Sequence, residues 1–495
     1  MASPRNACKP CRSSKRKCDR ILPVCSTCRR MGRLCAYDEI PGQNSAYNIV
    51  PEEHGLSSPR ASMLSATFGT VLQREVRSFL GTPDEMRRIS NAYFGSIHYR
   101  LPIISEPRFN KNFPTLFTPS GIDFTTLCLC MKLVHTSPSQ QVVGETEAVS
   151  PHYLLAKSSI GLLEATGLVT LDAIQSRLLL VLHEVGHGIY PAASVSIGSC
   201  ARLARHAGLS KDFWHAQKAA ITTADAEERR RTWWAIHNLD RFIALCGGDA
   251  ILASEDATPD TCLPSDSEQL SCIVTSETAR PTVSTPAPFR VGPFARECQV
   301  AHLMGRVVQH IFHPVADLEF RSRERFQLES TLKAFLPILI EEELEFSSYC
   351  GALGMCISSL YALYIAPTAH FNHNSEGDTH NLETISTQMT GLSQHLLKSA
   401  GNENTLTMMS LLIPYALYQT AAIQLNLYQR SRNFAFKANA DLIIEILTCM
   451  SKRWCAAVKY LTALESDSPP GDVTTSGILS RLFDLGQRCW QSVKV

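Results

Sequence analysis

Six cysteines stand in the first 35 residues at strict spacing. Cys8, Cys11, Cys18, Cys25, Cys28 and Cys35 spell the unit C-x2-C-x6-C twice, with six residues between the copies. A C-x2-C pair can put two thiolates on one metal ion, and a third cysteine six residues on can close the site after a helical turn. Two tetrahedral zinc ions need eight ligand positions, and six thiolates are on offer, so two of them must bridge both metals. Two other uses of these cysteines compete. A disulfide framework is disfavoured, because no secretory stretch precedes them and intracellular thiols stay reduced. A single zinc on Cys8, Cys11, Cys25 and Cys28, whose pairs are 13 residues apart, would leave Cys18 and Cys35 spare at matching positions.

The same segment is strongly basic. Residues 1–35 hold ten Lys and Arg against one acid, Asp19, for a net +9, while residues 36–495 hold 37 basic and 45 acidic residues, for −8. A near-neutral chain thus conceals a basic head on an acidic body. Two Zn²⁺ and six thiolates sum to −2, so most of the positive charge is left for an outside polyanion. Double-stranded DNA is the natural one, with strongly salt-dependent binding. The run Lys15-Arg16-Lys17 also suits nuclear import, which is compatible with DNA binding.

Ala7-Cys8-Lys9-Pro10-Cys11-Arg12-Ser13-Ser14-Lys15-Arg16-Lys17-Cys18 resembles the first half of the zinc binuclear cluster (Zn2Cys6) DNA-binding domain of fungal transcription factors. The resemblance implies that two Zn²⁺ are held by Cys8, Cys11, Cys18, Cys25, Cys28 and Cys35, with Cys8 and Cys25 bridging. Lys15 matches the lysine that reads the C·G pairs of a CGG triplet. Arg12, Arg16 and Lys17 match positions that usually meet phosphate. Pro23 matches the proline that turns the chain between the halves. Leu34-Cys35-Ala36-Tyr37 fits the closing pattern. The physics agrees: a short helix after Cys11 can present Lys15 to the major groove, where lysine suits guanine O6 and N7.

These residues need a scaffold, and the rest of the chain predicts one. Residues 1–38 read as the zinc head and 39–65 as a flexible linker carrying Pro41, Gly42, Pro51 and Pro59. No apolar heptad run spans 38–62, so a homodimer on DNA is left open. From about residue 66 to 465 the pattern is helical and predicts a large all-α domain. Leu171, Ile174, Leu178 and Leu182 share one face, as do Trp233, Ile236, Leu239 and Ile243, and Leu442, Ile446, Met450, Trp454, Val458 and Leu461. Gly208 reads as a helix C-cap. Residues 136–151, 254–293 and 466–477 break the pattern. The Ser/Thr/Pro-rich stretch 254–293 is long enough to be largely disordered. Residues 466–495 read as a tail, in which 479–485 reads as a terminal amphipathic turn or a short activation motif. No stretch approaches the length of a membrane helix.

This body resembles the fungal transcription-factor regulatory (middle homology) domain. Tyr93-Phe94, His98, Leu101-Pro102-Ile103-Ile104 and Phe109 suit its opening, Ser199–Leu209 its small-residue helix, and Glu227–Trp234 with Asp240-Arg241 its most recognisable element. The resemblance implies regulation by a small molecule or protein partner, without catalysis. Read from the residues alone, Arg229–Arg231 beside Trp233-Trp234 is either a second nucleic-acid patch or arginines paired by Glu227, Glu228 and Asp240 on a helix whose tryptophans are core. The second is favoured. The twelve later cysteines, including Cys128-x-Cys130, read as buried small hydrophobes.

One motif offers an enzyme. His183-Glu184-Val185-Gly186-His187 matches H-E-x-x-H, in which two histidines bind zinc and the glutamate activates water. Gly186 inside it, with Gly188 and Pro191 after it, weakens the helix, and Tyr190 and Ala193 stand where the extended motif needs Gly and His. A helix end with hydrogen-bonded or exposed histidines is the expectation.

The combined expectation is a nuclear, zinc-dependent, non-enzymatic regulator of RNA polymerase II genes, of a metabolic pathway, acting at CGG-type sites. The alternatives are a zinc-binding interaction module without sequence-specific DNA binding and, more remotely, an H-E-x-x-H metalloprotease.

Overall fold

The computed structural model describes residues 7–20, 25–31, 59–136, 150–209, 223–265, 280–347, 350–365, 376–400 and 409–466. The chain divides into two compact units, Met1–Ser65 and Ala66–Val495.

In the first unit, α1 (Lys9–Ser13) and α2 (Ser26–Arg30) each follow the first cysteine of a C-x2-C pair. Their buried centre consists of sulfur: Cys8, Cys11, Cys25 and Cys28 are at most 2% exposed, with Cys18 packed beside them. No aliphatic core supports them among the described residues. A fold of this size without such a core depends on a metal.

α3 (Pro59–Leu80) corrects the expected linker boundary, because it starts inside residues 39–65. Pro59 is its first helical residue, a position that proline suits because its missing N–H would go unbonded there in any case. The proline starts a helix, where composition alone suggests a loop.

The second unit is helical, with no strand among its described residues beyond one antiparallel bridge between Cys262 and Thr282. Local capping explains where its helices begin. Thr82 and Glu85 form a reciprocal capping box at α4 (Pro83–Phe94), and the Thr82 N–H bond holds the Glu85 carboxyl below its usual range. α5 (Ile97–Arg100) and α6 (Glu106–Asn112) lead to α7 (Ile122–His135). Ser150 caps α8 (Pro151–Ala165), and Thr170 caps α9 (Leu171–Gly186). α10 (Tyr190–His206) ends at Gly208, φ +74°, where Leu209 N–H reaches the Ala204 carbonyl, so the expected cap is present.

α11 (Thr223–Gly247), α12 (Pro293–Phe312), α13 (Leu318–Phe346), α14 (Cys350–Ile365), α15 (Glu376–Ala400), α16 (Ile413–Ser431), α17 (Phe434–Ser451) and α18 (Ala456–Ser466) complete the bundle. α9 packs between α7 and α10, α11 against α10 and α12, and α14 against α12, α13 and α16. α9 and α14 are buried all round, which is why their sequences are apolar on more than one face. No helix is long and apolar enough to cross a membrane among the described residues.

Two further expectations are corrected. Both flanks of the 254–293 stretch are ordered. The Trp234 indole donates to the Cys262 carbonyl at 3.0 Å, Glu227 accepts from Ser265 N at 2.7 Å, and Asp240 accepts from Ala253 N and Ser254 N at 3.0 and 2.9 Å. Buried side chains of α11 thus pin a segment whose own composition signals disorder; residues 266–279 lie outside the described residues. The apolar series Leu442–Leu461 is two helices. The guanidinium of Arg453 turns inward to the Val134 and Thr136 carbonyls at the end of α7, and Trp454 seats on Gly186, so the helix breaks there and Val458 is left exposed.

Candidate metal centre and nucleic-acid interface

Four sulfurs gather around one point. Cys8 Sγ lies 3.7 Å from Cys25 and 3.6 Å from Cys28, and Cys11 Sγ lies 3.7 Å from Cys25 and 3.9 Å from Cys28. A tetrahedron of Zn–S bonds about 2.3 Å long has edges of about 3.8 Å. The observed spacings match that figure, and all four ligand atoms lie within 4.8 Å of one another. Cys18 Sγ stands 3.8 Å from Cys8 and groups with Asp19 and Cys25 as a second set of neighbouring ligand atoms. Cys35 lies outside the described residues.

Local backbone bonds build this arrangement. Arg12 N–H bonds the Cys8 carbonyl at 2.9 Å, opening α1. Lys15 N–H bonds the Arg12 carbonyl at 3.2 Å, and Arg16 N–H reaches back to the Cys11 carbonyl at 2.9 Å. That pair of bonds is a Schellman closure with Lys15 at the left-handed position, φ +49°. Cys25 caps α2 with its own sulfur, which accepts from Cys28 N at 3.3 Å. Asp19, the single acid of residues 1–35, accepts from Ser26 N at 3.0 Å, and the Thr27 hydroxyl donates to the Lys17 carbonyl at 2.9 Å. The two halves are therefore joined by polar bonds as well as by sulfur.

The closure leaves residues Arg12 to Lys17 exposed, so Arg12, Lys15, Arg16 and Lys17 share one short solvent-facing turn. Arg16 Nη1 donates to the Met31 sulfur at 2.9 Å, which holds its stem toward the second half. Arg20, Arg29 and Arg30 are exposed as well. This is a dense positive surface on a metal-sized core, suited to a polyanion.

The H-E-x-x-H motif is built differently from a catalytic zinc site. It ends α9 deep in the body, with both histidines and Glu184 buried. Glu184 accepts from the Tyr153 hydroxyl at 2.9 Å and from Lys157, while His187 Nδ1 pairs with Cys455 Sγ at 3.2 Å. Burial holds both imidazoles neutral, His187 down to about 3. A Cβ on Gly186 would lie 2.2 Å from the Trp454 ring, so this glycine serves close packing. Among the described residues, three metal-ligating side chains come together only at the N-terminal cysteines.

The arginine–tryptophan stretch is core, as favoured. Trp233 and Trp234 are buried, and Glu227 pairs with Arg230 and Arg231. Glu228 and Asp240 take other partners. Glu228 binds Arg108 bidentately at 2.8 and 2.9 Å, and Arg108 reaches on to Asp172 at 2.6 Å and Gln175 at 2.8 Å. Asp240 pairs with the fully buried Arg241 at 2.7 Å. The Arg108 network was not legible in the sequence, because its members lie as much as 120 positions apart and share no motif.

Known proteins match this chain in two places. Residues 6–44 match the fungal Zn(2)-Cys(6) binuclear cluster domain, a zinc-binding module, and residues 91–339 match the fungal specific transcription factor domain. Transcription factor BOA15 of Botryotinia fuckeliana (strain B05.10) is 38% identical over 162 residues, which are 32% of this chain and 87% of that protein. Pigment biosynthesis transcriptional activator pigB of Monascus ruber is 25% identical over 315 residues, 53% of this chain and 55% of that protein. Transcription factor tazR of Aspergillus terreus (strain NIH 2624 / FGSC A1156) is 27% identical over 195 residues, 38% of this chain and 30% of that protein. The chain thus spans about half of pigB and less of tazR. With the cysteine cluster, the basic turn and the helical body in agreement with both matched domains, the chain belongs to the fungal Zn2Cys6 transcription factors, a family of DNA-binding regulators and not of enzymes.

Proposed function

We propose that this protein is a nuclear regulator that reads a CGG triplet through Lys15 and controls RNA polymerase II genes of a metabolic pathway. Two Zn²⁺ on Cys8, Cys11, Cys18, Cys25, Cys28 and Cys35 fold its head, with Cys8 and Cys25 bridging. These are the sulfurs that neighbour Cys18 as well as the C-x2-C partners, which supports the bridging role. Arg12, Arg16 and Lys17 hold phosphate and set the register, and Lys15 carries the sequence information. The observation that carries the reading is Lys15 standing exposed at the left-handed closure of α1, three positions after Arg12 and four after Cys11. A metabolic target is supported by pigB, whose name ties it to pigment biosynthesis.

The test is selection from random duplex DNA by the zinc-loaded full chain. Enrichment of CGG supports the reading. One triplet indicates a monomer, and two at fixed spacing a homodimer. Well-folded, two-zinc protein that enriches nothing would leave the interaction-module reading in its place.

A further inference from the structure

Two long helices of the body flank a groove on its surface. α13 and α15 are tied at one end, where Arg325 pairs with Asp378 at 2.9 Å and Lys333 Nζ donates to Asn381 at 3.0 Å. Beyond these ties a space of about 1130 Å³ opens between residues 336–345 of α13 and 380–392 of α15. Leu336, Ile385 and Leu392 form its buried floor, Ile340 is half-buried, and Leu344 stands 47% exposed. A Cβ on Gly391 would meet no other part of the body within 4 Å, so the α15 wall faces open space there. The rims differ in charge. Glu341 and Glu345, one turn apart, are exposed on the α13 side, and the neutral Thr384 and Gln388 are exposed on the α15 side. Lys333, at the tied end, is already held by Glu329. An apolar groove rimmed in this way suits an amphipathic helix.

The chain carries such a segment. Residues 467–495 lie outside the described residues, and their sequence includes Ile478-Leu479-Ser480-Arg481-Leu482-Phe483-Asp484-Leu485-Gly486-Gln487-Arg488-Cys489-Trp490. At about 100° per residue, every apolar side chain of this run falls on one half of a helical wheel. Ser480, Arg481, Asp484, Gln487 and Arg488 fall on the other half. Arg481 and Arg488 lie along one edge of the apolar face, the edge that can meet Glu341 and Glu345.

Size and reach agree. A helix of these thirteen residues is about 20 Å long and about 10 Å across, and the groove follows thirteen residues of α15, 380–392. α18 ends at Ser466 and packs on α17, which packs on α15. Two interhelical spacings come to about 20 Å, and the stretch 467–477 can span about 36 Å when extended.

We propose that residues 478–490 dock as a helix in the groove between α13 and α15. Their apolar face lies on the groove floor, and Arg481 and Arg488 meet Glu341 and Glu345. The chain thus supplies its own partner, and the docked face is closed to other proteins. The inference concerns the helical body and its C-terminal run, and it stands whatever the head reads.

The test is photo-crosslinking of the zinc-loaded full chain with p-benzoylphenylalanine in place of Gln388 on the exposed rim, followed by peptide mapping. A cross-link within one chain to residues 478–490 is expected. Arg481→Glu with Arg488→Glu should lower its yield fivefold or more. Adding Glu341→Arg and Glu345→Arg to that chain should restore it. A cross-link to a second chain, to another segment of the same chain, or to nothing overturns the docking, as does a yield that charge reversal leaves unchanged. Loss without restoration in a folded chain overturns the pairing with Glu341 and Glu345. Where a charge-reversed chain fails to fold, Leu482→Asp tests the same contact from the segment alone, and an undiminished cross-link there overturns it.

Discussion

The Arg16 amide donates to the Cys11 carbonyl at 2.9 Å, and this one backbone bond wraps the chain around Lys15 at φ +49°. A buried cysteine and an exposed arginine are thereby tied across the residue proposed to read DNA. Glycine is the usual occupant of that position, and a side chain there costs about 1–2 kcal/mol.

Lys15→Gly separates the two demands on this residue. The zinc-loaded chain is expected to gain head stability of about 1 kcal/mol from relief of the left-handed backbone. It should also lose discrimination of CGG from altered triplets by ~1–3 kcal/mol, as should Lys15→Ala. Fluorescence anisotropy on matched and mismatched duplexes reads the loss. Equal weakening on every duplex would make Lys15 a phosphate contact.

Arg16→Ala should weaken binding about evenly across sequences. Its plot of log affinity against log salt should flatten by about one unit. An unchanged slope would remove Arg16 from the phosphate contacts.

Chelation should unfold the head and release DNA, because the cluster has no aliphatic core behind it among the described residues. Cys8→Ala should lose both metal ions, since a bridging sulfur serves both. Native mass spectrometry counts the zinc. A folded Cys8→Ala protein with two zinc ions would end the bridging assignment.

Gly186→Ala should destabilise the helical body by about 1–3 kcal/mol, because its Cβ would overlap the Trp454 ring. Denaturant unfolding measures this. An unaffected midpoint would show that Trp454 does not rest on this glycine.

Acid should weaken the body through its buried histidines. Burial, aided by Arg453, holds His187 near 3 against an ordinary 6.5, and burial, aided by Arg231, holds His98 at about 4. The unfolded chain takes up these protons near 6.5 and the folded one refuses them. Stability is therefore complete above 6.5 and falls as pH drops toward 4, by up to about 1.4 kcal/mol per pH unit per group. His187→Gln should flatten that slope relative to the unsubstituted chain, and an identical slope would contradict it.

Much was legible without coordinates because the signals are local. The cysteine spacing, the basic run after Cys11, the face Ile174, Leu178 and Leu182 and the Gly208 cap each act within a turn or two of chain, where residue type and spacing decide geometry. The misreadings share an opposite cause. Pro59 reads as loop by composition and proves to start a helix. The residues around 254–265 look unstructured until Glu227, Trp234 and Asp240 bind their backbone. Trp454 continues an apolar helical series and instead breaks it.

By itself, then, the sequence determined the kind of protein: a thiolate metal head with a basic turn, followed by an all-helical body. Tertiary structure decided which buried charges pair and which residues close space. Arg108 meets Glu228, Trp454 meets Gly186, and Asn238 meets Glu297 across separations of 120, 268 and 59 residues. Such partners are chosen by desolvation and close packing once helices are stacked, and no short-range pattern encodes that choice.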